Sequence, residues 1–579
     1  MILALRYIFM SCPARIIVLL MLLGIQGVLP AVNVMFTGKI INSIQMNDFE
    51  QVEFIFTIGL WCLTLLGVQC IQPLVNLVQG DVNEITTRYF NENIMRRMNQ
   101  TLTLTPFEEK EKHEQLELLR REASHRPLNF IITFVFLLRS FIVICGLAFV
   151  LLKYSGIGLV VCSISVVPLL WINIKVEQKN WKNLLVNTKE SVVMRYVFDA
   201  CMQKNHLQEI RIYKLGEYLI QKYVGAAENM HKSMHKQRVY ALLMPIPMVV
   251  LSLILLLIGM YLFFISLRES NLQVSAIAVA LQSVIMLKTY LDDMASNGGH
   301  IFSLTGFFKA YHQFMHEFLE PAKNGKTRLE KTGSHDIKIK KLTYTYPNQI
   351  KPTIDNLSLN IEKGQKIAIV GDNGSGKTTL LKLILRLYES EKGSIRISGV
   401  YLEDLDIDTY RDTVSTVFQE YGRYEFTVKE NIAFEYSNDF NYDNDIKYLL
   451  SEVELDLDPS RKLGQRFGGS EISVGQWQKL AIARALFRKA DLFIFDEFSS
   501  SLDPEIEYKL FNKILSLDST IVAVTHRLGK IKHFDKIIVM SEGKIIEEGD
   551  FDYLIKRKEK FYEMWMSQFP SVGSNDDIE

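Results

Sequence analysis

The chain of 579 residues has little cysteine, no excess of charge of either sign and no low-complexity segment. Its six cysteines form no C-x-x-C pair and fall mostly in apolar stretches, so they are expected to be reduced residues that serve packing. The 65 basic and 65 acidic residues balance, which gives no indication of nucleic acid as a partner. No internal repeat occurs at the periods typical of solenoid proteins.

Apolar stretches long enough to cross a bilayer recur before residue 300. They are residues 16–34, 54–78, 130–152, 157–174, 242–265 and 274–291. Burial within a soluble protein is the alternative for the shorter stretches, but six in succession predict a membrane α-helical domain of six transmembrane helices. The first stretch lacks a small-residue cleavage site, so it is expected to be a retained helix, with the mature protein beginning near Met1.

The basic residues of the connections predict the orientation of these spans. Arg6 and Arg15 precede the first span, and the connections after the second and fourth spans are long and rich in Lys and Arg. Because basic loops stay on the cytoplasmic side, both long connections and the N-terminus are predicted to lie inside. The opposite connections, 37–53, 153–156 and 266–273, are short and sparsely charged, so little folded structure is expected outside.

Residues 370–379, VGDNGSGKTT, fit the pattern G-x-x-x-x-G-K-[ST] directly after an apolar run. A strand that leads through a glycine-rich turn into a helix aligns backbone N–H groups with phosphates. Lys377 then supplies a positive charge and the Thr378 hydroxyl a ligand for Mg²⁺. An ordinary strand-to-helix turn is the alternative. The predicted ATP-binding residues are Gly371, Asn373, Gly374, Ser375, Gly376, Lys377, Thr378 and Thr379.

Further motifs follow this loop in a definite order. EISVGQWQK at 471–479 precedes a helical pattern, LFIFDE at 492–497 is an apolar strand that ends in two carboxylates, and SLD at 501–503 and VTHR at 524–527 come after it. In this order and spacing the motifs resemble the ATP-binding cassette (ABC) family over about the last two-fifths of the chain. The resemblance implies an α/β P-loop ABC ATPase domain fused to the membrane domain, which makes the chain a half-transporter.

The resemblance also implies roles for individual residues. Asp496 matches the family's magnesium-orienting aspartate, and Glu497 matches the catalytic glutamate that acts on water as a general base. Helix capping is the alternative for such an acidic pair. Gln419 resembles the glutamine that contacts the metal and the attacking water. His526 matches the switch histidine that contacts the γ-phosphate.

The signature segment departs from the family's commonest sequence, Leu-Ser-Gly-Gly-Gln, at Ile472 and Val474 and keeps Ser473, Gly475 and Gln476. A serine hydroxyl and backbone amides at a helix N-terminus suit a γ-phosphate. Val474 therefore matters only if its backbone needs a positive φ. ATPase competence is expected.

Aromatic residues mark two further positions. Tyr346 resembles the aromatic residue that stacks on adenine, and the alternatives are a half-buried strand residue or the neighbouring Tyr344. Phe498 stands where the family usually has proline and is expected to alter packing more than chemistry.

Family geometry places the signature serine on the ATP held by the opposite cassette, so the resemblance implies a dimer that binds ATP and Mg²⁺. Because Lys377, Glu497, His526 and the signature serine are all present, a homodimer with two competent sites is favoured. Asp503 is expected to bridge the two sites.

Six spans with long inner loops resemble the exporters of the family more than most of its importers. The segments 466–479 and 208–215 resemble bacterial exporters of lantibiotics and related peptides, which favours a modified precursor peptide as cargo at the cytoplasmic membrane. Export or flipping of a lipid or hydrophobic drug is the alternative, and an ATP-gated channel or regulator, an exporter-fold importer and a soluble-type ABC ATPase with an anchor are less favoured. The first span begins too early for the N-terminal cysteine protease that some peptide exporters carry.

The predicted organisation is a membrane domain at 1–319, a linker at 320–334, a nucleotide-binding domain at 335–570 and an acidic tail at 571–579. The tips of the long inner loops are predicted near 105–116 and 204–213, where the resemblance implies contact with the ATPase.

Arg139 lies near the middle of the third span, where a charge is costly. It is a candidate for the substrate path, as a contact for an anionic group of the cargo. Pairing with a neighbouring side chain or snorkelling to the interface is the alternative.

Overall fold

The structure, a computed structural model, describes residues 1–46, 51–186, 188–269, 274–316, 324–347, 349–434, 442–498 and 502–569. The chain divides into two compact units, one of Met1–Arg97 with Gln115–Glu317 and the other of Met98–Glu114 with Phe318–Glu579. The predicted linker is described only from Asn324 onward, and the predicted tail at 571–579 lies outside the described residues.

Helices make up the N-terminal part of the chain. They are α1 (Ile2–Ser11), α2 (Pro13–Met46), α3 (Gln51–Asn99), α4 (Thr105–Glu108), α5 (Lys110–Glu122), α6 (Arg126–Leu151), α7 (Gly156–Ile164), α8 (Val167–Val186), α9 (Thr188–Met202), α10 (Lys204–Ile212), α11 (Gly216–Leu243), α12 (Ile246–Glu269) and α13 (Val274–His316).

Among the described residues of this part, six stretches are long and apolar enough to cross a membrane, which confirms the six predicted spans. They are Pro13–Gln45, Val52–Asn99, Arg126–Leu151, Gly156–Asn180, Gly216–Arg268 and Val274–His316. The fifth stretch is interrupted between α11 and α12 at Pro245, because proline lacks the N–H that would continue the helix. The protein is therefore a multi-pass membrane protein.

Glycines allow α7 and α12 to approach closely, as is common where membrane helices pack. A Cβ atom at Gly158 would lie 2.9 Å from the Phe263 ring, and one at Gly259 would overlap Cys162 Sγ. Cys162 is buried in this contact, and all six cysteines are free thiols. The expected packing role is thus met at this cysteine.

The described residues of the second unit form ten strands in two sheets. The strands are β1 (Ile337–Tyr344), β2 (Ile354–Ile361), β3 (Lys366–Gly371), β4 (Ile395–Ile397), β5 (Val400–Tyr401), β6 (Val414–Val417), β7 (Leu492–Asp496), β8 (Thr520–Val524), β9 (Lys536–Ser541) and β10 (Lys544–Gly549). Its later helices are α14 (Lys377–Ile384), α15 (Ile407–Asp412), α16 (Val428–Ala433), α17 (Asp443–Glu452), α18 (Val474–Phe487), α19 (Pro504–Leu515), α20 (Phe551–Arg557) and α21 (Lys560–Gln568), with short 3-10 helices at Leu402–Asp404 and Leu528–His533.

The larger sheet has the order β10-β9-β3-β8-β7-β6, and the strands from β9 to β6 are parallel. Its central strands are apolar on both faces, as expected for a parallel sheet covered on both sides. In β3, Ile367 and Ile369 pack into one core cluster, and Ala368 and Val370 pack into the other. The smaller sheet, β2-β1-β4-β5, is antiparallel. Its apolar side chains pack into the cluster that contains Ile367 and Ile369.

The parallel register brings four strand ends to one edge of the larger sheet. Ile369 of β3 and Asp496 of β7 both pair with Val524 of β8, and Val417 of β6 pairs with Phe495. Ligands of parallel α/β sheets bind beyond the carboxyl ends of the strands. The segments that follow β3, β6, β7 and β8 are therefore neighbours in space, although they are far apart in the sequence.

The close approach of α7 and α12 predicts the effect of a small substitution. Replacing Gly259 with alanine places a methyl group against Cys162, and such overpacking costs about 1–3 kcal/mol. We expect Gly259→Ala to lower the temperature at which the detergent-solubilised protein stays monodisperse in size-exclusion chromatography. The matched control is Gly24→Ala in α2, where a Cβ atom meets nothing within 4 Å. An equal response of the two variants would contradict the proposed packing.

Candidate ATP site

A cavity of about 530 Å³ lies at the edge where β3, β6, β7 and β8 end. It is lined by Thr353, Asn373, Gly374, Ser375, Gly376, Lys377, Thr378, Thr379, Gln419, Glu497 and His526. The structure thus brings together most of the predicted ATP-binding and catalytic residues. Thr353, which belongs to no motif in the sequence, is an addition, and Gly371 lies at the end of β3 beneath the loop.

The glycine-rich loop turns sharply between β3 and α14. Gly376 caps α14 with φ +98°, and a Cβ atom there would lie 2.8 Å from the Thr353 carbonyl oxygen, so only glycine fits without strain. The Lys377 ammonium donates to the carbonyl oxygens of Gly371 and Asp372, both at 2.9 Å. Burial lowers the pKa of Lys377, and the nearby carboxylates of Glu497 and Asp496 oppose that shift. The cation is held at the turn by neutral acceptors that a phosphate can replace.

The Glu497 carboxylate joins three of the four segments at this edge. Its Oε1 lies 2.5 Å from His526 Nε2, and its Oε2 accepts a hydrogen bond from Gln419 Nε2 at 3.1 Å. Glu497 has a left-handed backbone, with φ +49°, which costs a residue other than glycine roughly 1–2 kcal/mol. Strain of this kind is common at functional sites, where the surrounding structure holds the residue in place.

Asp496 lies beneath Glu497 and is 1% exposed. Its Oδ1 has no hydrogen-bond partner among the described residues, and Thr378 donates a hydrogen bond to the carboxylate. Burial raises the pKa of Asp496, the negative charge of Glu497 adds to the shift, and the hydrogen bond from Thr378 opposes it. An unpartnered carboxylate oxygen beside a hydroxyl fits the oxygen ligands of Mg²⁺.

Across the part of the chain that the structure describes, no group of three or more His, Cys, Asp and Glu side chains could hold a metal ion. Mg²⁺ usually binds through one or two protein ligands together with the phosphates of its nucleotide. The pair of Thr378 and Asp496 suits that mode of binding.

Comparisons with known proteins identify relatives of this chain. The family model for ABC transporters matches residues 354–500. The subtilin transport ATP-binding protein SpaT of Bacillus subtilis is 29% identical over 92% of this chain and 88% of its own length. The nisin transport ATP-binding protein NisT of Lactococcus lactis subsp. lactis is 25% identical over 97% of this chain and 95% of its own.

A solved structure shares the whole fold. It is a bacterial Atm1-family ABC exporter with ATP bound, with a TM-score of 0.82 and 18% identity over 96% of this chain and 99% of that one. The chain is an ABC exporter half-transporter. Its cassette binds ATP, and ATP hydrolysis there is coupled to transport.

The signature segment of the half-transporter forms the start of α18. Ser473 is the N-cap: its hydroxyl accepts from Gln476 N at 3.2 Å, and Gln476 Oε1 accepts from Ser473 N at 2.9 Å, which completes a capping box. Val474 is the first helical residue and has no positive φ. The valine therefore occupies a backbone position that does not require glycine.

The signature residues do not line the described cavity of their own chain. Tyr421 donates to the Val474 carbonyl oxygen at 3.0 Å, and half of the Val474 surface is exposed. Ser473 is exposed as well, so the start of α18 faces away from this site and is accessible from outside it.

Tyr346 is half-buried at the end of the segment that follows β1. Its hydroxyl lies 3.1 Å from Thr379 Oγ1, and its ring meets the rings of Tyr344 and Tyr388 edge to face, with centroids 5.1 and 5.2 Å away. Both alternatives raised by the sequence, Tyr344 and Tyr346, thus belong to one aromatic cluster. Tyr388, which the sequence did not reveal, completes it.

The cluster is bonded to residues 98–114, which group with the ATPase. Tyr388 donates to Glu108 Oε1 at 2.7 Å, Leu104 N donates to the Leu387 carbonyl at 2.7 Å, and Arg411 donates to the Leu102 carbonyl at 2.6 Å. Burial and the bond to Glu108 raise the pKa of Tyr388, so it remains a donor at neutral pH. The predicted tip of the first inner loop therefore packs on the ATPase through α4.

The remaining predicted residues lie in ordinary structural contacts. Asp503 caps α19 through Glu505 N at 3.4 Å, and Ser501 of the same motif lies outside the described residues. Phe498 is 3% exposed and packs on Phe495, which agrees with the expected effect on packing.

Arg139 donates to Gln72 Oε1 at 3.3 Å, so the guanidinium has a neighbouring partner. Its place in the substrate path stays a prediction.

The geometry of Val474 predicts that its departure from the common signature is tolerated. We expect Val474→Gly to change the ATPase rate of the purified half-transporter by less than about twofold, because the position is helical and glycine there costs only about 0.5–1 kcal/mol of local stability. Ser473→Ala, which removes the cap, should reduce the rate more. A tenfold increase in the ATPase rate of Val474→Gly would show instead that valine at this position slows hydrolysis.

The bond between Tyr388 and Glu108 predicts local protection of the inner loop. A hydrogen bond to a charged group contributes about 1.5–3 kcal/mol, so Tyr388→Phe should speed hydrogen–deuterium exchange of residues 102–108 by about tenfold. Exchange in the glycine-rich loop should stay unchanged. Tyr553→Phe, at an exposed tyrosine of α20, is the control. Unaltered exchange in residues 102–108 would contradict this anchor.

Proposed function

We propose that two copies of this chain form a homodimer in the bacterial cytoplasmic membrane that exports a modified peptide, such as a bacteriocin precursor, at the expense of Mg²⁺-ATP. The supporting observation is the bonded set of Glu497, His526 and Gln419 in the same chain as an intact signature serine. Each copy carries both halves of a site, and two copies can complete two sites.

The residues of one copy divide the work of hydrolysis. Glu497 accepts the proton of the attacking water as a general base, while His526 and Gln419 hold its carboxylate and approach the γ-phosphate. Thr378, Gln419 and Asp496 would hold Mg²⁺, which neutralises charge on the phosphates when bound. Tyr346 stacks on adenine, and Lys377 contacts the phosphates.

The second copy completes the site. Ser473, Val474, Gly475 and Gln476 of one copy offer a hydroxyl and backbone amides at a helix N-terminus to the ATP of the other. Asp503 lies beside this contact and bridges the two sites. Because ATP is then held between two cassettes, nucleotide binding favours a closed pair, and hydrolysis releases it.

Two features support the cargo and the direction. SpaT and NisT, named for the transport of subtilin and nisin, align with nearly the whole chain, including its membrane part. The long basic connections support a cytoplasmic N-terminus and ATPase. The resemblance of the six spans with long inner loops to the exporters of the family supports outward transport. The membrane part is in contact with lipid, and Arg139 is a candidate contact for the cargo.

Transport in proteoliposomes tests this function. We expect inside-out vesicles that contain the purified protein to accumulate a labelled lanthionine-containing precursor peptide against its gradient, with Mg²⁺ and ATP. Glu497→Gln should reduce ATPase activity and transport by about a hundredfold or more but preserve ATP binding, because it removes the base and keeps the shape. Glu362→Gln, an exposed glutamate before β3, is the matched control.

Each alternative has its own result. Accumulation of a labelled lipid or hydrophobic dye in place of the peptide would show that the cargo is a lipid or a hydrophobic drug. Loss of a preformed peptide gradient without ATP turnover would indicate a channel. Full turnover of Glu497→Gln would overturn the proposed mechanism of hydrolysis, whatever the cargo.

A further inference from the structure

A glutamine at the end of the last described helix is bonded to the segment that carries the switch histidine. Gln568 of α21 donates through Nε2 to the His526 carbonyl oxygen at 2.6 Å, and its Oε1 accepts from Leu528 N at 3.1 Å. The side-chain amide of Gln568 therefore donates one hydrogen bond and accepts another, and its two partners are the residues on either side of Arg527. Two bonds in opposite directions fix the position of this stretch of backbone more firmly than one.

A buried carboxylate of α19 holds the next residues of the same segment. Glu507, whose side chain is 4% exposed, pairs with Arg527 Nη1 at 2.5 Å and with Lys530 Nζ at 3.2 Å. A buried carboxylate needs such partners, because an unpaired charge is costly away from water. Residues 526–530 are therefore anchored to two different helices.

The helix that carries Gln568 is itself firmly attached to the ATPase. Phe561 is fully buried and its N–H donates to Glu547 Oε1 at 3.1 Å, while Trp565 packs edge to face on Phe551 at 4.8 Å. Lys560 also lies 3.3 Å from Asp372 of the glycine-rich loop, although both side chains are exposed and the pair contributes little. The helix therefore offers a rigid support next to the ATP site.

We propose that Gln568 is a positioning residue for ATP hydrolysis, which holds the His526 backbone so that the imidazole meets Glu497. The imidazole and the carboxylate are 2.5 Å apart, a distance that depends on where the His526 backbone lies. A misplacement of about 1 Å at such a site can cost about a hundredfold in rate. The inference rests on the proposed roles of His526 and Glu497 and is independent of the cargo.

Steady-state ATPase kinetics of the full-length protein in nanodiscs test this role. Gln568→Ala should lower kcat about five- to tenfold and leave the KM for ATP within about twofold, because Gln568 does not line the cavity. The isosteric Gln568→Glu keeps the acceptor for Leu528 but loses the donor to His526, so it should lower kcat at least as much. Glu563→Ala, at an exposed residue of the same helix, should match the wild type in kcat and in thermal stability.

A double-mutant comparison separates a positioning role from a merely structural one. On the His526→Ala background, Gln568→Ala should change the residual turnover by less than about twofold, since the residue it positions is gone. A wild-type kcat for Gln568→Ala and Gln568→Glu, or an equal fold-loss with and without His526, would overturn the inference. Full turnover of His526→Ala alone would instead overturn the proposed role of the histidine.

Discussion

The parallel pairing of β3, β6, β7 and β8 is the constraint on which the rest of the ATPase depends, because it places four strand ends at one edge. Glu497 then adopts a left-handed backbone, accepts a hydrogen bond from Gln419 and lies against the imidazole of His526. Without this register, the glutamine, the two carboxylates and the histidine would be isolated polar residues of a buried sheet. The continuous apolar runs of the strands therefore serve the chemistry by fixing where each strand stops.

Around this edge, charged groups are held by neighbours that limit the cost of their burial. Lys377 donates to two backbone carbonyls, Asp496 accepts from Thr378, and Glu507 pairs with Arg527 and Lys530. Each of these charged groups has at least one hydrogen-bonding or ionic partner, which lowers the cost of holding a charge in a low-dielectric interior. A charged side chain in the membrane unit also has a polar partner, since Arg139 donates to Gln72.

The inner loop is attached to the ATPase by a different kind of contact. Tyr346, Tyr344 and Tyr388 form one aromatic cluster, and the hydroxyl of Tyr388 reaches Glu108. Tyr346 is thus one ring contact and one hydrogen bond away from the loop between the second and third spans. Rings and one hydrogen bond form a contiguous path, and a path of this kind can respond to nucleotide only if the loop has two positions.

Sequence alone was sufficient for the six spans and the glycine-rich loop, and it singled out Glu497, His526 and Gln419, which the structure brings to one cavity, because hydrophobic length and motif order are local properties of the chain. It also singled out Val474 as a departure from the common signature. The helical backbone of Val474 in α18 shows that the position does not require glycine. Only the tertiary structure brought in Thr353, the pair of Tyr388 and Glu108, and Gln568, since none of them belongs to a motif. Their significance comes from contacts across large separations in the chain, and such contacts are decided by how strands and helices pack.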